Sequence, residues 1–498
     1  MNLDKFPDFD EFKKQFAENS VGVVCSEFLA DMETPVSLFA KLYDAYQGRI
    51  FLLESVEGGD RWGKYSFIGI GVHKKVEVFA ENVVITGTSG KETIAHEGRP
   101  FDVLRKISSE YNLAHISRIE RMPAGLVGYM NYEMVSFFEK IPNKLEKDKS
   151  IACFVVPEVI ISFDNSKHTS ICAALAFKEE VSDPKQAYKQ AADKVISVRH
   201  MLQTPAVSTI AKDDGDFSVK PTCGKEEFME KVEKVKEHIA EGDIIQAVIS
   251  HPFICEHRVS PLSLYRAQRY INPSPYMFFI DIDERTLVGS SPETMVRLEN
   301  DKAFLKPIAG TRKRGASQQQ DRKLADELLK DEKERAEHLM LVDLGRNDLG
   351  RIAQTGTVQV TDLMIVERYS HVMHLVSNVE CNIRQQKDCF DLIRAAFPAG
   401  TLSGAPKVRA MEIIGEMEEE PRGPYGGCAG YISFNGDMDM AITIRTAVVE
   451  KDKVTVQAGA GIVADSDPES EYIETVNKSM SIQRALTFIE EVMLPGSH

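Results

Sequence analysis

Glu334-Arg335-Ala336-Glu337-His338-Leu339-Met340-Leu341-Val342-Asp343-Leu344-Gly345-Arg346-Asn347-Asp348 and Asp467-Pro468-Glu469-Ser470-Glu471-Tyr472-Ile473-Glu474 are the two stretches on which the reading of this chain turns. Each reads as a helix with carboxylates three residues apart, Glu334 with Glu337 and Glu471 with Glu474, so each pair shares one face. Asp331, with Glu334 three residues on, resembles a capping box, and Asp467 followed by Pro468 is a comparable start. Two acidic faces that meet suit a hard divalent cation such as Mg²⁺, which takes oxygen ligands from one or two carboxylates, substrate and water. The plain alternative is two solvated helix faces.

Working outward, Lys225 to Glu241 reads as an amphipathic helix stopped by Gly242. Strand candidates follow at 244–250, 277–281, 287–290 and 295–298, and Asn435-Gly436 is a hairpin turn. Earlier in the chain, 37–46, 101–111 and 184–202 have helical spacing. Residues 50–54, 76–79, 83–86, 154–156 and 159–161 read as strands, with a turn at Gly58-Gly59-Asp60. Composition shifts to polar residues between 179 and 222, with a loop through Asp213-Asp214-Gly215-Asp216, which sets the lobe boundary there: 1–205 and 220–490. Strands and helices alternate too irregularly for repeated βαβ units. The expected class is α+β, a large two-lobed body of mixed or antiparallel sheets flanked by helices.

A chain of 498 residues exceeds one ordinary core, and 43% apolar with 27% charged content is globular. The net charge of −16 opposes nucleic acid or anionic membrane as partner, and an anionic ligand then needs local positive groups. No signal-like segment opens the chain and no apolar run is long enough for a membrane helix. Eight scattered cysteines without a CxxC pair read as reduced, buried thiols of a cytoplasmic protein. Gly427-Cys428-Ala429-Gly430 could be mistaken for a nucleophile elbow, but no glutaminase motif surrounds it. Ala458-Gly459-Ala460-Gly461 offers a backbone nest for a carboxylate, and the amides and Thr401 of Phe397–Lys407 could hold an anion. Neither has the spacing of a nucleotide loop.

In order along the chain, PIAGTRKRG (307–315), ERAEHLMLVDLGRND (334–348), HVMHLVSNVE (371–380), FPAGTLSGAPK (397–407), PRGPYGGCAGY (421–431), AITIRTA (441–447) and QAGAGIVADSDPESEYIETVNK (457–478) closely resemble the chorismate-utilising enzymes, and within them the anthranilate-forming branch. The resemblance covers nearly the whole chain. It implies two packed sheets with helices outside, and an Mg²⁺-dependent lyase that converts chorismate and ammonia to anthranilate and pyruvate in tryptophan biosynthesis.

Carried over by motif, it makes Glu337 and Glu474 the metal ligands and Glu293 the general acid for loss of the C4 hydroxyl. His374 takes part in pyruvate elimination, and Thr401 is a hydroxyl over the substrate. Tyr425, Arg445, Gly459, Ala460, Gly461 and Lys478 would hold the carboxylates. It also implies feedback inhibition by tryptophan at Glu54 and Ser55, opposite Asn272, Pro273, Ser274, Tyr276 and Met277, with Lys64 a further candidate. Its partner would be a glutamine amidotransferase subunit, in a heterotetramer.

Two departures choose the branch. Related isochorismate and salicylate synthases carry a water-activating lysine where this chain has Gln246, and an amide is no base at neutral pH. Aminodeoxychorismate synthases, the alternative in folate synthesis, often have lysine in PIKGT where this chain has Ala309. A non-catalytic sensor of tryptophan or chorismate is the reading from another class, and intact Glu293, Glu337, His374 and Glu474 oppose it.

Overall fold

The computed structural model describes residues 5–55, 63–88, 90–114, 116, 119, 121, 124–204, 217–369 and 372–493. The expected turn at 58–60 and loop at 213–216 lie outside them. The fold is α+β, and every pairing between named strands is antiparallel, so the mixed sheet allowed by the sequence resolves to one kind. The one parallel contact among the described residues is an isolated bridge, Val21 to Leu113.

The Val- and Ile-rich segment read as two short strands is one strand, Ala152–Asp164, paired along Tyr65–Val78. Pro157 lies between the two candidates and cannot donate to a ladder. The pairing absorbs it with a register shift between Val72 and Lys74, so the strand continues. Two strand pairs join the early and late parts of the chain. Ile50–Glu54 pairs with Tyr276–Asp281, setting Glu54 opposite Met277, and Gly125–Met130 pairs with Cys428–Ser433.

The acidic helices form where the caps placed them. Asp331 accepts the amides of Lys333 and Glu334 and starts Glu332–Gly350, while Asp467 accepts the Ser470 amide and starts Pro468–Phe488. The first cap is one-sided rather than a reciprocal box. The Glu334 carboxylate turns instead to Arg312 Nη1 at 3.0 Å, since a guanidinium is a stronger donor than the Asp331 amide. Lys225–Ala240 ends before Gly242, whose φ of +85° is the left-handed stop expected there.

Phe39 and Leu42 of Pro35–Tyr46 pack in one core with Leu264 and Tyr265 of Pro261–Ile271, Phe279, and Ile482 and Leu486 of the Glu474 helix. Each such side chain contributes about 1.5–3 kcal/mol by leaving water, more than an exposed ion pair supplies. This apolar seam therefore holds the early helices to the helix that carries Glu474. No described helix is long and apolar enough to cross a membrane.

Candidate active site

Glu293 sits in the turn between strands Thr286–Ser291 and Thr294–Glu299, its side chain out of water. Thr401 Oγ1 donates to its Oε1 at 3.1 Å, and Arg445 lies close enough to lower its pKa. Burial outweighs both and pushes the carboxyl up to about 8, so at neutral pH it holds a proton.

Arg445 follows strand Met438–Ile442 with a φ of +49°, a conformation costly for a residue with a Cβ. Burial lowers the pKa of its guanidinium. It faces a cleft of about 370 Å³ shared with His374, Glu474, Asn477 and Lys478. Among the described residues the Arg445 side chain has no hydrogen-bond or ion-pair partner. A half-buried planar cation without a hydrogen-bonded carboxylate of its own is suited to a bidentate carboxylate from a ligand.

His374 lies on strand Val372–Asn382, with Nδ1 3.0 Å from Gly310 O and 3.1 Å from Thr311 Oγ1. A carbonyl can only accept, so Nδ1 carries the hydrogen and Nε2 is left as the basic nitrogen. Burial, ahead of all else, lowers the pKa of the ring and keeps it neutral.

Glu337 and Glu474 feel one another. The Glu337 carboxyl is raised by burial first, then by the charges of Glu334 and Glu474. Lys478 Nζ bridges Glu474 Oε1 at 2.8 Å and Gly459 O at 2.9 Å, tying the second acidic face to the nest strand. The donors are all oxygen and mutually repelling, which a Mg²⁺ ion would relieve, so the residues fit that ion. They do not close a cage of their own. Among the described residues the one tight group of potential metal ligands is His238, Glu241 and Asp243, where Arg409 already occupies Asp243 at 2.7 Å.

The nest strand, Val454–Ile462, pairs with Gln246–Cys255 along its length, but its pairing to Thr446–Val449 stops at Val456. Beyond that point no described strand occupies the second edge. Gly459 and Gly461 leave room for groups that come against this strand, at Gly459 the Ile249 carbonyl oxygen as well as a side chain. A Cβ at Gly459 would meet Tyr425 Oη at 2.8 Å, and one at Gly461 would meet Gln246 Nε2 at 2.5 Å. Ala460 between them points its methyl into the core, leaving only its backbone to the site. Gln246 Oε1 is buried without a partner among the described residues.

A family model described as chorismate binding enzyme matches residues 49–484. The chain belongs to this family. Anthranilate synthase component 1 of Acetivibrio thermocellus is 43% identical over 497 residues, covering 98% of this chain and 99% of that one. The solved anthranilate synthase component I of Streptococcus pneumoniae TIGR4 superposes with a TM-score of 0.75 at 34% identity, covering 91% of this chain and 98% of its own. The menaquinone-specific isochorismate synthase of Escherichia coli gives a TM-score of 0.69 at 20% identity over 96% of this chain and 98% of its own, a likeness of fold alone.

In this chorismate-binding enzyme the residues expected around tryptophan divide between two places. Ser55, Tyr276 and Met277 line a small cavity of about 70 Å³ with Tyr431 and Arg121, whereas Asn272, Pro273 and Ser274 line the cleft of Arg445 and His374. Pro275 borders both. Glu54 touches the small cavity, but its carboxylate is taken by the Tyr265 hydroxyl and by Arg269, Nε at 3.0 Å and Nη2 at 3.3 Å. Lys64 is not among the cavity-lining residues; its ammonium lies over the Tyr65 ring at 4.9 Å, and Tyr65 itself lines the cavity.

Sequence reasoning missed Arg269 and the buried pair of Arg422 with Glu418. Arg422 also donates to Leu402 O and Val248 O at 2.7 Å each, fixing the Thr401 and Tyr425 loops together. Arg422 between Pro421 and Gly423, a charged residue inside a run of small and turn-forming residues, was the available signal. Lys407, in the loop read as a possible anion holder, is committed to Asp348 at 2.8 Å.

Proposed function

We propose that the chain is the large subunit of an anthranilate synthase, converting chorismate and ammonia to anthranilate and pyruvate. The observation that carries this reading is Glu293, a buried carboxyl that accepts from Thr401 Oγ1 at 3.1 Å and lies near the Arg445 guanidinium, which has no hydrogen-bond partner among the described residues; burial favours the acid form. Arg445 and the open edge of the nest strand would grip one carboxylate of chorismate, with Tyr425 and Lys478 beside them. Glu337 and Glu474 would hold Mg²⁺, which when bound neutralises the ring carboxylate.

Ammonia adds at ring C2 as the C4 hydroxyl leaves. Hydroxide is a poor leaving group, so Glu293 gives it a proton and water departs. A substrate carboxylate on Arg445 also screens a charge that lowers the Glu293 pKa, so binding favours the acid form. In the second step the basic Nε2 of His374 is suited to accept the C2 proton as pyruvate is expelled. Gln246, beside Gly461, supplies no base for water and leaves the field to ammonia.

The test is formation of fluorescent anthranilate from chorismate, Mg²⁺ and ammonium. An amino-chorismate product that keeps its enolpyruvyl group would favour the aminodeoxychorismate alternative instead. The division into an early lobe, 1–205, and a catalytic domain, 220–490, belongs to the same reading. The buried free thiols support a cytoplasmic setting.

Tryptophan would inhibit from the small cavity at Ser55, Tyr276 and Met277. The segment from Asn272 to Met277 borders this cavity at one end and the substrate cleft at the other, and Ser274 Oγ accepts from Ser290 Oγ at 2.9 Å. A ligand there can act only through unequal affinity for two arrangements of that segment. Ser55→Phe is expected to raise the tryptophan concentration for half-inhibition at least about tenfold, as differential affinity of about 1.4 kcal/mol allows, with ammonia-dependent turnover kept. Equal sensitivity in variant and parent would remove this cavity from the reading.

The ammonia would come from a glutamine amidotransferase subunit, as a heterotetramer. Cys428 lies in the middle of the sheet between Met130 and Ile442, fully buried, with its thiol pKa pushed up by burial. It is no exposed thiolate. The purified chain should make anthranilate from ammonium but not from glutamine alone. Sustained glutamine-dependent turnover that Cys428→Ala abolishes would overturn this.

A further inference from the structure

Each acidic helix is pinned to a strand by one buried imidazole–hydroxyl contact, placed one residue beyond its candidate metal ligand. After Glu337 comes His338, with no exposed surface, whose Nε2 lies 2.6 Å from Ser377 Oγ. Ser377 Oγ also accepts the Met364 amide at 2.9 Å. After Glu474 comes Thr475, equally buried, whose Oγ1 lies 2.9 Å from His251 Nε2. The Thr475 hydroxyl hydrogen goes to Tyr472 O at 2.8 Å, so His251 must be the donor.

Packing alone does not call for either contact. Apolar groups of the same shape could replace both partners at little cost, whereas each imidazole here leaves its Nδ1 buried without a partner among the described residues. What the contacts do is join each carboxylate to a strand that serves the organic part of the ligand. Ser377 lies three residues from His374 on strand Val372–Asn382. His251 stands opposite Ala458, next to Gly459 of the nest. Glu337 is thereby referred to His374, and Glu474 to the carboxylate nest.

We infer that His338–Ser377 and Thr475–His251 are positioning pairs that hold Glu337 and Glu474 in register with the two substrate-bearing strands. The inference rests on the proposed role of those glutamates. Supporting groups behind metal ligands are worth about 10–100-fold in metal affinity when removed, and these pairs act at one residue's remove through the helix backbone.

The test uses the purified full chain with chorismate present and ammonium absent, following free Mn²⁺ by electron paramagnetic resonance. Mg²⁺ half-saturation, kcat and thermal midpoint are measured alongside on the complete reaction. Thr475→Val keeps the shape and removes the hydroxyl, and Ser377→Ala removes the strand hydroxyl that His338 of the other helix meets. Both should weaken Mn²⁺ binding and raise Mg²⁺ half-saturation about tenfold, with a smaller fall in kcat at saturating Mg²⁺. Thr475→Ser, which restores the hydroxyl, should stay within about twofold of the parent. Variants that lose thermal stability yet keep parental Mn²⁺ affinity would overturn the inference and reduce the pairs to packing. So would a Thr475→Ser variant as weak as Thr475→Val. A parent that takes up no Mn²⁺ would overturn the metal reading itself, and this inference with it.

Discussion

Glu293→Gln should lower kcat for anthranilate formation by roughly 10²–10⁴-fold, the usual worth of a positioned general acid, while chorismate still binds. The amide keeps the shape and can still accept from Thr401, so only the transferable proton is lost. The sign of the pH dependence follows from burial. The carboxyl is an acid below about 8, so kcat/KM for chorismate should fall as pH rises through that value, provided free ammonia is held constant.

The same group should cost stability. Its folded pKa lies above its ordinary value of 4.5, so the folded state binds more protons between 4.5 and about 8, and stability falls with rising pH across that window. Glu293→Gln removes this term. It should unfold at a higher temperature than the parent at pH 8 and match it near pH 4. A variant that makes anthranilate at the parental rate would place the acid elsewhere. A flat stability difference with pH would mean the carboxyl is not held protonated.

What the sequence conveyed well was local. The acidic helices were readable because their carboxylates repeat on one face and because Asp331 and Asp467 cap them, features settled within four residues. The two glycines were readable as a backbone nest for a carboxylate, though not which parts of the chain pack against them. Tyr425 and Gln246 reach Gly459 and Gly461 from far along the chain. Glu54 illustrates the limit. Its partner Arg269 is 215 residues away, and no spacing within LLES hints that the carboxylate is already taken. Sequence treats the wall from Asn272 to Met277 as one surface, yet its first three residues precede strand Tyr276–Asp281 and face the cleft of Arg445 and His374. Pro157 misled in the other direction, because a proline opposite a register shift need not end a strand.

Glu337→Gln and Glu474→Gln should each remove most turnover and make the remainder demand far more Mg²⁺. The argument is electrostatic. The Glu337 carboxyl is raised by burial and by the like charges of Glu334 and Glu474, a crowding of anions that a divalent cation offsets and an amide does not need offset. Losing one of two carboxylates from a site completed by substrate and water should cost at least the roughly 10–100-fold in metal affinity that loss of an outer supporting group costs. The two variants should differ in one respect. Glu474 also holds Lys478, which reaches Gly459 O, so Glu474→Gln loosens a lysine at the carboxylate nest and should raise KM for chorismate as well. Among the described residues Glu337 makes no such hydrogen-bonded ion pair, and its substitution should move the Mg²⁺ requirement with less effect on chorismate at saturating metal. Titrating Mg²⁺ at several chorismate concentrations separates these outcomes. Undiminished activity of the parent in excess chelator would remove both glutamates from the metal role.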